Sequence, residues 1–598
     1  MAWSVEILQR YGEALLGGWW LPVLGGAAFF GLGSLDRRLG PGRRLVLRRA
    51  LLALAVLVGL ALAVRGACLM DDAYISLRYA QNLLDGHGLV WNQGERVEGY
   101  TNFLWTLMLA GLGLSGVELP LLALVASLLA WLFMLAGAVL LSRRLMPAGL
   151  PLAVVLLALH ASSLDYATSG LETAFATGLV LWGLFFLARD GGPRDTALCG
   201  VFLILAVFTR PDHALFWLAG GAAVLARDID RSRPLASLLE RRSWLFPASF
   251  LPYALYLGWK LSYYGQILPN TFYAKSANEA YFSQGWIYTW SFLLGSGLWL
   301  LLPLAFRGLR RLAREQRPVA VFAGLSLLVW HLYVAKVGGD FMYGRFFVVV
   351  LPLWLLLAQA GLGRRLGLLA LLGASLHGQA IIGPQVHRWH ITDEARVYPV
   401  RQWLPEVVID HHNYRTGRRL AVLAQGPETL TIATSGIGMV GYYSGLRVID
   451  LLGLTDKRTA RKKVEERGMP GHEKRASFEY VLRQETVLVR WEFAPPDWLR
   501  ATRVDLGLEL NQSNAWRLAR YDPELIARLE QLDPTIGVRP MQPVVQAWAA
   551  DIPQRDPQVL ADDLAFLDGY YFAYVDHPGE AALRAYAQGF VDRAAPAD

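Results

Sequence analysis

Two carboxylates, Asp71 and Asp72, stand side by side directly after an apolar run that ends at residue 69. Charged groups at the edge of a hydrocarbon layer are costly to desolvate, so their presence there points to function. Such a pair within the apolar zone is therefore the first candidate for chemistry in this chain. Asp72 also has a plain structural role open to it, as N-cap of a helix over 73–84. The same stretch carries Tyr74, Arg78, Glu98, Tyr100 and Asn102. Ser169-Gly-Leu-Glu172 has capping-box spacing, so a structural reading stands beside the functional one. Arg210-Pro211-Asp212 sets an Arg and an Asp in a turn between two short apolar runs, which calls for a polar cavity. Pro at a first helical position is itself ordinary. Asn270 with Lys275, and Asp340 with Arg345, repeat the mixture of amide or carboxylate, aromatics and cation. Those aromatics also suit an interfacial belt. Aromatic faces with carboxylates and amides fit a sugar. Arg78, Arg210, Lys275 and Arg345 fit a phosphate held by charge-assisted hydrogen bonds.

These residues must be carried by a membrane protein. The chain has 598 residues, 54% hydrophobic and 18% charged. Soluble domains carry about 25% charged residues, so an ordinary soluble protein and a disordered one are both excluded. The charge is unevenly spread. Residues 1–382 hold 51 charged side chains and residues 383–598 hold 55 in little more than half the length. The organisation expected is an N-terminal extra segment 1–49 with a span, a transmembrane catalytic domain 50–382, and an extracytoplasmic domain 383–598.

Clear apolar runs cover 50–69, 119–141, 244–263, 286–305, 319–337, 346–361 and 365–382. Weaker ones cover 17–34, 150–163, 168–188, 196–210 and 212–226. The basic clusters at 35–49, 142–147, 227–243, 306–318 and 364–365 fall on one side only if 196–226 is a hairpin. That gives eleven spans from residue 50 and a twelfth at 17–34. The other face then receives 70–118, 164–167, the turn at 210–212, 264–285, 338–345 and the tail. The apolar 101–114 is too short for that parity and is expected to lie in, or re-enter, the outer leaflet. The net charge of +8 is explained by these loop clusters and gives no ground for nucleic-acid binding.

The tail reads as mixed α/β. Strands are expected at 421–424, 429–433, 446–452 and 487–491, a small-residue turn or short helix at 436–445, and a helix at 476–483. Frequent Pro between 534 and 557 suggests irregular wrapping. Cys68 and Cys199 are expected not to pair. His411-His412 lack zinc-ligand spacing, no metal site is assigned, and no cofactor is required. A divalent cation is compatible with the chemistry, but no spacing demands one. His472, in Gly-His-Glu-Lys, is the better placed histidine if its loop folds over the membrane face. No Walker loop or dinucleotide fingerprint is present.

The long run DDAYISLRYAQNLLDGHGLVWNQGERVEGYTNFLW, with SGLET, TRPDH, LPNTFYAK, GGDFMYGRFF, IGMVGYYSGLRVIDLLGLTD and GHEKR, resembles the family of the mycobacterial terminal arabinofuranosyltransferase. That family belongs to the C-type (GT-C) glycosyltransferases, and related bacterial sequences are labelled motility-control membrane proteins. The resemblance runs from about residue 50 to about 475. It implies a polytopic α-helical GT-C-like fold of 11–12 spans with an extracytoplasmic α/β domain, in the bacterial cytoplasmic membrane. It implies a donor of the polyprenyl-phosphate arabinofuranose type and a glycan acceptor. By motif match Asp71 and Asp72 are the acidic residues of the reacting centre. The expected phosphate ligands are then Arg78, Arg210, Lys275 and Arg345. The expected sugar and acceptor ligands are Tyr74, Glu98, Tyr100, Asn102, Glu172, Asp212, Asn270, Asp340 and His472. The rival readings are a non-enzymatic protein of motility or envelope assembly, and a GT-C enzyme using another lipid-linked sugar. The sugar, linkage, acceptor and oligomeric state are left open.

Overall fold

The computed structural model describes residues 27, 31–32, 34–147, 149–229, 232–362, 387–425, 430–490, 503–506, 508 and 515–594. The expected span 365–382 with Arg364–Arg365, and most of 17–34, lie outside them. The described chain is mostly helical and divides into two compact units. One comprises the described residues up to Val90, Arg96–Asp410 and Val464–Glu473. The other comprises Trp91–Glu95, His411–Lys463 and the described residues from Lys474 on. The packing boundary therefore differs from the composition boundary at 383.

In the first unit, Leu119–Leu145 shows why such runs are helical. Leu and Ala dominate, Pro120 sits in the first turn, and Arg143 and Arg144 occupy the last turn, where cations complement the helix dipole. Among the described residues three helices are long and apolar enough to cross a membrane: Pro41–Arg65, Leu119–Leu145 and Arg317–Val337. A fourth candidate is Phe282–Gly295 with Leu298–Glu315, bent by 76°. This is a membrane protein, and leucines such as Leu54, Leu57 and Leu255 are exposed as lipid-facing residues would be. The other expected spans that are described hold shorter helices. Residues 150–163 break at His160 into Leu152–Leu159 and Ala161–Asp165. Residues 244–263 hold Leu245–Ala248 and Leu251–Tyr264. Within 101–114, Phe103–Gly113 is a short apolar helix. Pro193–Thr209 and Ala214–Asp228 pack together across the 3-10 turn Pro211–His213, as a hairpin would. Gly308 and Gly361 sit where Leu302–Glu315 meets Leu351–Leu362. A Cβ on either would strike the other helix's backbone, so these two helices touch through glycine.

One short segment, Thr392–Val400 with the helical turn Glu394–Val397 at its centre, positions the polar end of this unit. The Thr392 N–H donates to Phe341 O at 2.6 Å, and the Tyr343 N–H to Thr392 O at 2.9 Å. Six residues on, the Leu69 N–H donates to Tyr398 O at 3.2 Å, and the Val400 N–H to Ala67 O at 2.8 Å. The segment thus clasps the chain entering Asp71 to the chain carrying Asp340 and Arg345.

The second unit holds a six-stranded mixed sheet. Its order is Gly537–Val538, Arg503–Asp505, Trp516–Leu518, Thr486–Val489, Thr431–Thr434, Arg447–Asp450. Thr431–Thr434 is parallel to both its neighbours, and the remaining pairings are antiparallel. Helix Ile437–Ser444 makes the crossover between the first two parallel strands, and Gly445 closes it at φ +67°. Ala433, Ile449 and Val489 pack on Val545, Trp548, Leu560 and Tyr570. Two expectations are corrected. Residues 421–424 form part of a 3-10 turn, Ala421–Gln425, continuing from helix His412–Leu420. Residues 534–557 are not irregular throughout, because Pro543 and Pro557 begin the helices Gln542–Asp551 and Pro557–Leu567.

Candidate active site

Helix Asp71–Leu84 starts on the acidic pair itself. Met70 occupies the N-cap position and no side chain caps the helix, so the capping role open to Asp72 is not used. Both carboxylates lie in the first turn, where the helix dipole favours negative charge. Glu172 likewise does not complete a capping box. The helix Thr173–Arg189 has no side-chain cap, and Ser169 Oγ accepts from Leu171 N at 3.2 Å. The Glu172 carboxylate instead accepts from Arg210 Nη1 at 2.8 Å and from Asn102 Nδ2 at 2.8 Å. Asn102 is fixed in turn by the hydroxyls of Ser76 and Thr106. Arg210 also forks onto Asp212, at 3.1 and 2.7 Å.

Arg345 gathers the rest. It follows Gly344 in the turn after Asp340, where Gly338, Gly339 and Gly344 all have positive φ. A Cβ on Gly339 would strike the Tyr288 side chain, so that turn requires glycine. The Arg345 guanidinium lies 3.4 Å from Asp72, 3.6 Å from Glu172 and 3.6 Å from Asp340. None of these is a close bidentate pair, so Arg345 is shared among three carboxylates. Lys275 acts electrostatically on Asp72, Asp340 and His472. The His472 ring stands edge-on to Phe341 at 4.7 Å, and Lys275 lies against the Gly471 position. Residues distant in sequence thus meet in one cluster: Asp72, Asn102, Glu172, Arg210, Asp212, Lys275, Asp340, Arg345 and His472.

Burial differs within the cluster. The side chains of Glu172 and Asp340 are 1% exposed and that of Asp72 is 29% exposed. Asp72 is therefore the carboxylate best placed to meet an incoming molecule. Desolvation raises its affinity for a proton against the pull of Arg345 and Lys275. Asp340 goes the other way. Burial raises it, but Lys275 and Arg345 together hold it below the ordinary carboxylate range. Burial also lowers the His472 imidazole.

Tyr74 and Arg78 are buried on the same helix as the acidic pair. Glu98 and Tyr100 belong to a second network and not to the Arg345 cluster. The Glu98 carboxylate pairs with Lys260 at 2.8 Å, and burial pushes it up to about 7 against that pull. Tyr100 bonds to Tyr264 at 3.1 Å. Asn270 joins this second network, its N–H donating to Glu98 O at 2.9 Å. Two residues escaped sequence reasoning. Glu394 lies buried in the clasp segment. Burial, then Asp72, Asp71 and Asp340, push it well above the usual carboxylate range. The acidic doublet Asp393-Glu394 was its only signal. His213, the last residue of TRPDH, bonds Asp212 at 2.8 Å. Among the described residues no three His, Cys, Asp or Glu side chains form a group that could hold a metal ion. Cys68 and Cys199 are both free and buried.

Carboxylates outnumber cations in the cluster, which suits a centre that develops positive charge, with fixed guanidinium groups beside it for a departing anion.

The comparisons with known proteins are as follows. Residues 405–530 match a family described as Domain of unknown function (DUF8728). The chain is 31% identical over 394 residues to a terminal beta-(1->2)-arabinofuranosyltransferase of Mycobacterium tuberculosis, covering 57% of this chain and 55% of that one. It thus spans about half the length of that relative. It is 26% identical over 532 residues to the protein of the same name from Corynebacterium glutamicum, covering 72% and 76%. Among solved structures, ArnT of Cupriavidus metallidurans bound to undecaprenyl phosphate aligns at a TM-score of 0.40 and 12% identity, over 69% of this chain and 86% of that one. The Archaeoglobus fulgidus oligosaccharyltransferase aligns at 0.43 and 10%, over 67% and 64%. Likenesses at that distance carry no assignment.

Proposed function

We propose that the protein is a membrane glycosyltransferase that moves arabinofuranose, or a similar sugar, from a polyprenyl-phosphate donor to a glycan acceptor. In this reading it lies in the bacterial cytoplasmic membrane, with eleven or twelve spans, and the reaction takes place on the extracytoplasmic side. The observation that carries the reading is the partly exposed Asp72 carboxylate, 3.4 Å from an arginine shared by three acids. The two relatives named arabinofuranosyltransferase support the sugar and reaction class.

An acceptor hydroxyl approaches the anomeric carbon and its proton passes to Asp72, a general-base role of roughly 10²–10⁴ in rate. The bond from the anomeric carbon to the phosphate oxygen breaks, and its electron pair stays with the phosphate. Asp71 and Asp340 stabilise the positive charge on the sugar ring, and Arg345, Arg210 and Lys275 counter the released phosphate. Asn102, Glu172 and His472 line the side on which sugar hydroxyls bind. Direct displacement inverts the anomeric centre. If a carboxylate attacks first, a covalent intermediate forms and the centre is retained, so the anomer of the product distinguishes the two.

The test uses purified protein in detergent, labelled polyprenyl-phosphate arabinofuranose and a small arabinoside acceptor. Transfer by wild type and none by the folded Asp71→Ala, Asp72→Ala double variant is the expected result. Normal transfer by that variant overturns the mechanism. No transfer from any lipid-linked pentose or hexose by wild type overturns the assignment.

A further inference from the structure

Glu394 is the buried carboxyl that the mechanism leaves unused. It opens the helical turn Glu394–Val397, and the clasp fixes that turn from both sides. Just before it, Thr392 is bridged to Met342. Just after the turn, Pro399 is bridged to Cys68. Met342 lies between Asp340 and Arg345 in sequence, and Cys68 shortly precedes Asp71. So short a segment, tied at both ends, holds Glu394 between the chain entering the acidic helix and the arginine turn. The residue is 8% exposed. The charges that act on it match that placement: Asp72 first, then Asp71 and Asp340, with Arg345 opposing them.

The other buried acids nearby are answered by cations. Asp393 pairs with Arg396 at 2.8 Å, and Arg345 stands 3.6 Å from both Glu172 and Asp340. Among the described residues no cation pairs with Glu394. A buried carboxyl whose strongest charged neighbours are carboxylates holds on to its proton. Burial, with Asp72 and Asp71 behind it, accordingly pushes Glu394 well above the usual carboxylate range. Arg345 and Lys275 both favour ionised Asp72, so Asp72 gives up its proton before Glu394 does. The remaining groups around Glu394 are Cys68, on which it acts, and the Asp393–Arg396 pair of its own turn.

We propose that Glu394 is a positioning residue of the reacting centre, whose carboxyl, clasped beside Asp71, Asp72 and Asp340, sets the charge that an anionic lipid-linked donor meets. The inference rests on the donor class proposed above. With its proton in place, Glu394 fills its position without repelling the donor's phosphate. When the proton is lost, a further negative charge stands beside Asp72, and the phosphate is disfavoured. Glu394 forms no bond to the sugar and takes no proton from the acceptor. It acts through the field it adds to the acids that do.

The experiment measures binding of undecaprenyl phosphate and of undecaprenol to full-length wild type and Glu394→Gln in detergent. The pH runs from about 5 to about 10, above the ordinary Glu value of about 4.3. Gln keeps the shape and cannot ionise. The phosphate-to-alcohol affinity ratio is compared between the two proteins at each pH, so the ionisation of the ligand and of Lys275 is common to both. The ratios are expected to agree at the acid end. At the alkaline end the wild-type ratio is expected to be about 10-fold lower, the effect of one added charge at close range. A purely structural role moves both ligands together and leaves the comparison flat at every pH. A flat comparison overturns the inference, and so does a variant that already favours the phosphate more than wild type at the acid end. Glu394→Met carries the same expectation if the Gln variant does not fold. Wild type that shows the pH-dependent preference, yet transfers no lipid-linked sugar, overturns the reaction class and leaves the role of Glu394 standing.

Discussion

The Arg345 guanidinium lies 3.4 Å from the Asp72 carboxylate, although 273 residues separate them in sequence. Neither residue is spent on the other. Arg345 reaches two further acids at 3.6 Å, and Asp72 keeps a face open to solvent. A loose pair of this kind can exchange partners during a reaction without breaking a strong bond first.

Arg345→Gln is expected to lower the turnover by about 10²–10³-fold, the cost of removing one charge-stabilising donor. Arg345→Lys should rescue little, since a point charge does not reproduce a planar fork shared by three carboxylates. Turnover within 10-fold of wild type in Arg345→Gln would remove Arg345 from the reacting centre.

Asp72→Asn is expected to reduce the turnover about 10²-fold or more and to do so more severely than Asp71→Asn. Single-turnover rates with saturating donor check the order. The reverse order would move the base to Asp71.

The pH profile has a definite sign. The base acts ionised, and desolvation raises Asp72, so turnover should climb with pH through a limb above the ordinary Asp value of about 3.9. Lys275 favours the ionised form of Asp72. Lys275→Ala should therefore move the limb to higher pH and raise the donor concentration needed for half-maximal rate. A limb that moves to lower pH contradicts the assignment.

Lys260→Met leaves the buried Glu98 without its cation. Breaking a buried pair costs about 3–5 kcal/mol, whereas replacing both partners costs far less. A thermal midpoint in detergent that falls sharply in Lys260→Met and recovers in Glu98→Gln, Lys260→Met is the expected pattern. Equal midpoints in all three proteins would show that the pair adds nothing.

The acidic pair, the arginine turns and Asp340 were legible because ionisable residues at the ends of apolar runs demand a reason. The path of each side chain was not. Glu98 and Asn102 are four residues apart, yet Glu98 turns to Lys260 and Asn102 to Glu172. That choice is made by helix packing, which no local pattern encodes. His213 was hidden because a histidine after Pro-Asp reads as a helix start, and its ring contacts with Phe216 and Trp330 come from helix packing. Glu394 was assigned with the tail by composition and packs with the first unit. The hairpin at 196–226 was legible because the arginines allowed only one parity.

The clasp at 392–400 also bears on where this chain can be cut. A fragment ending at 382 would keep Asp71, Asp72, Arg210, Asp212, Asp340 and Arg345, yet it would lack the four backbone bonds that hold Ala67–Leu69 beside Phe341–Tyr343. It would lack Glu394 as well. For chimeras with relatives, a junction after Asp410 is conservative only when Val464–Glu473, which packs with the first unit and carries His472, comes from the same parent. The membrane half of this protein is not a module that ends where its hydrophobicity ends.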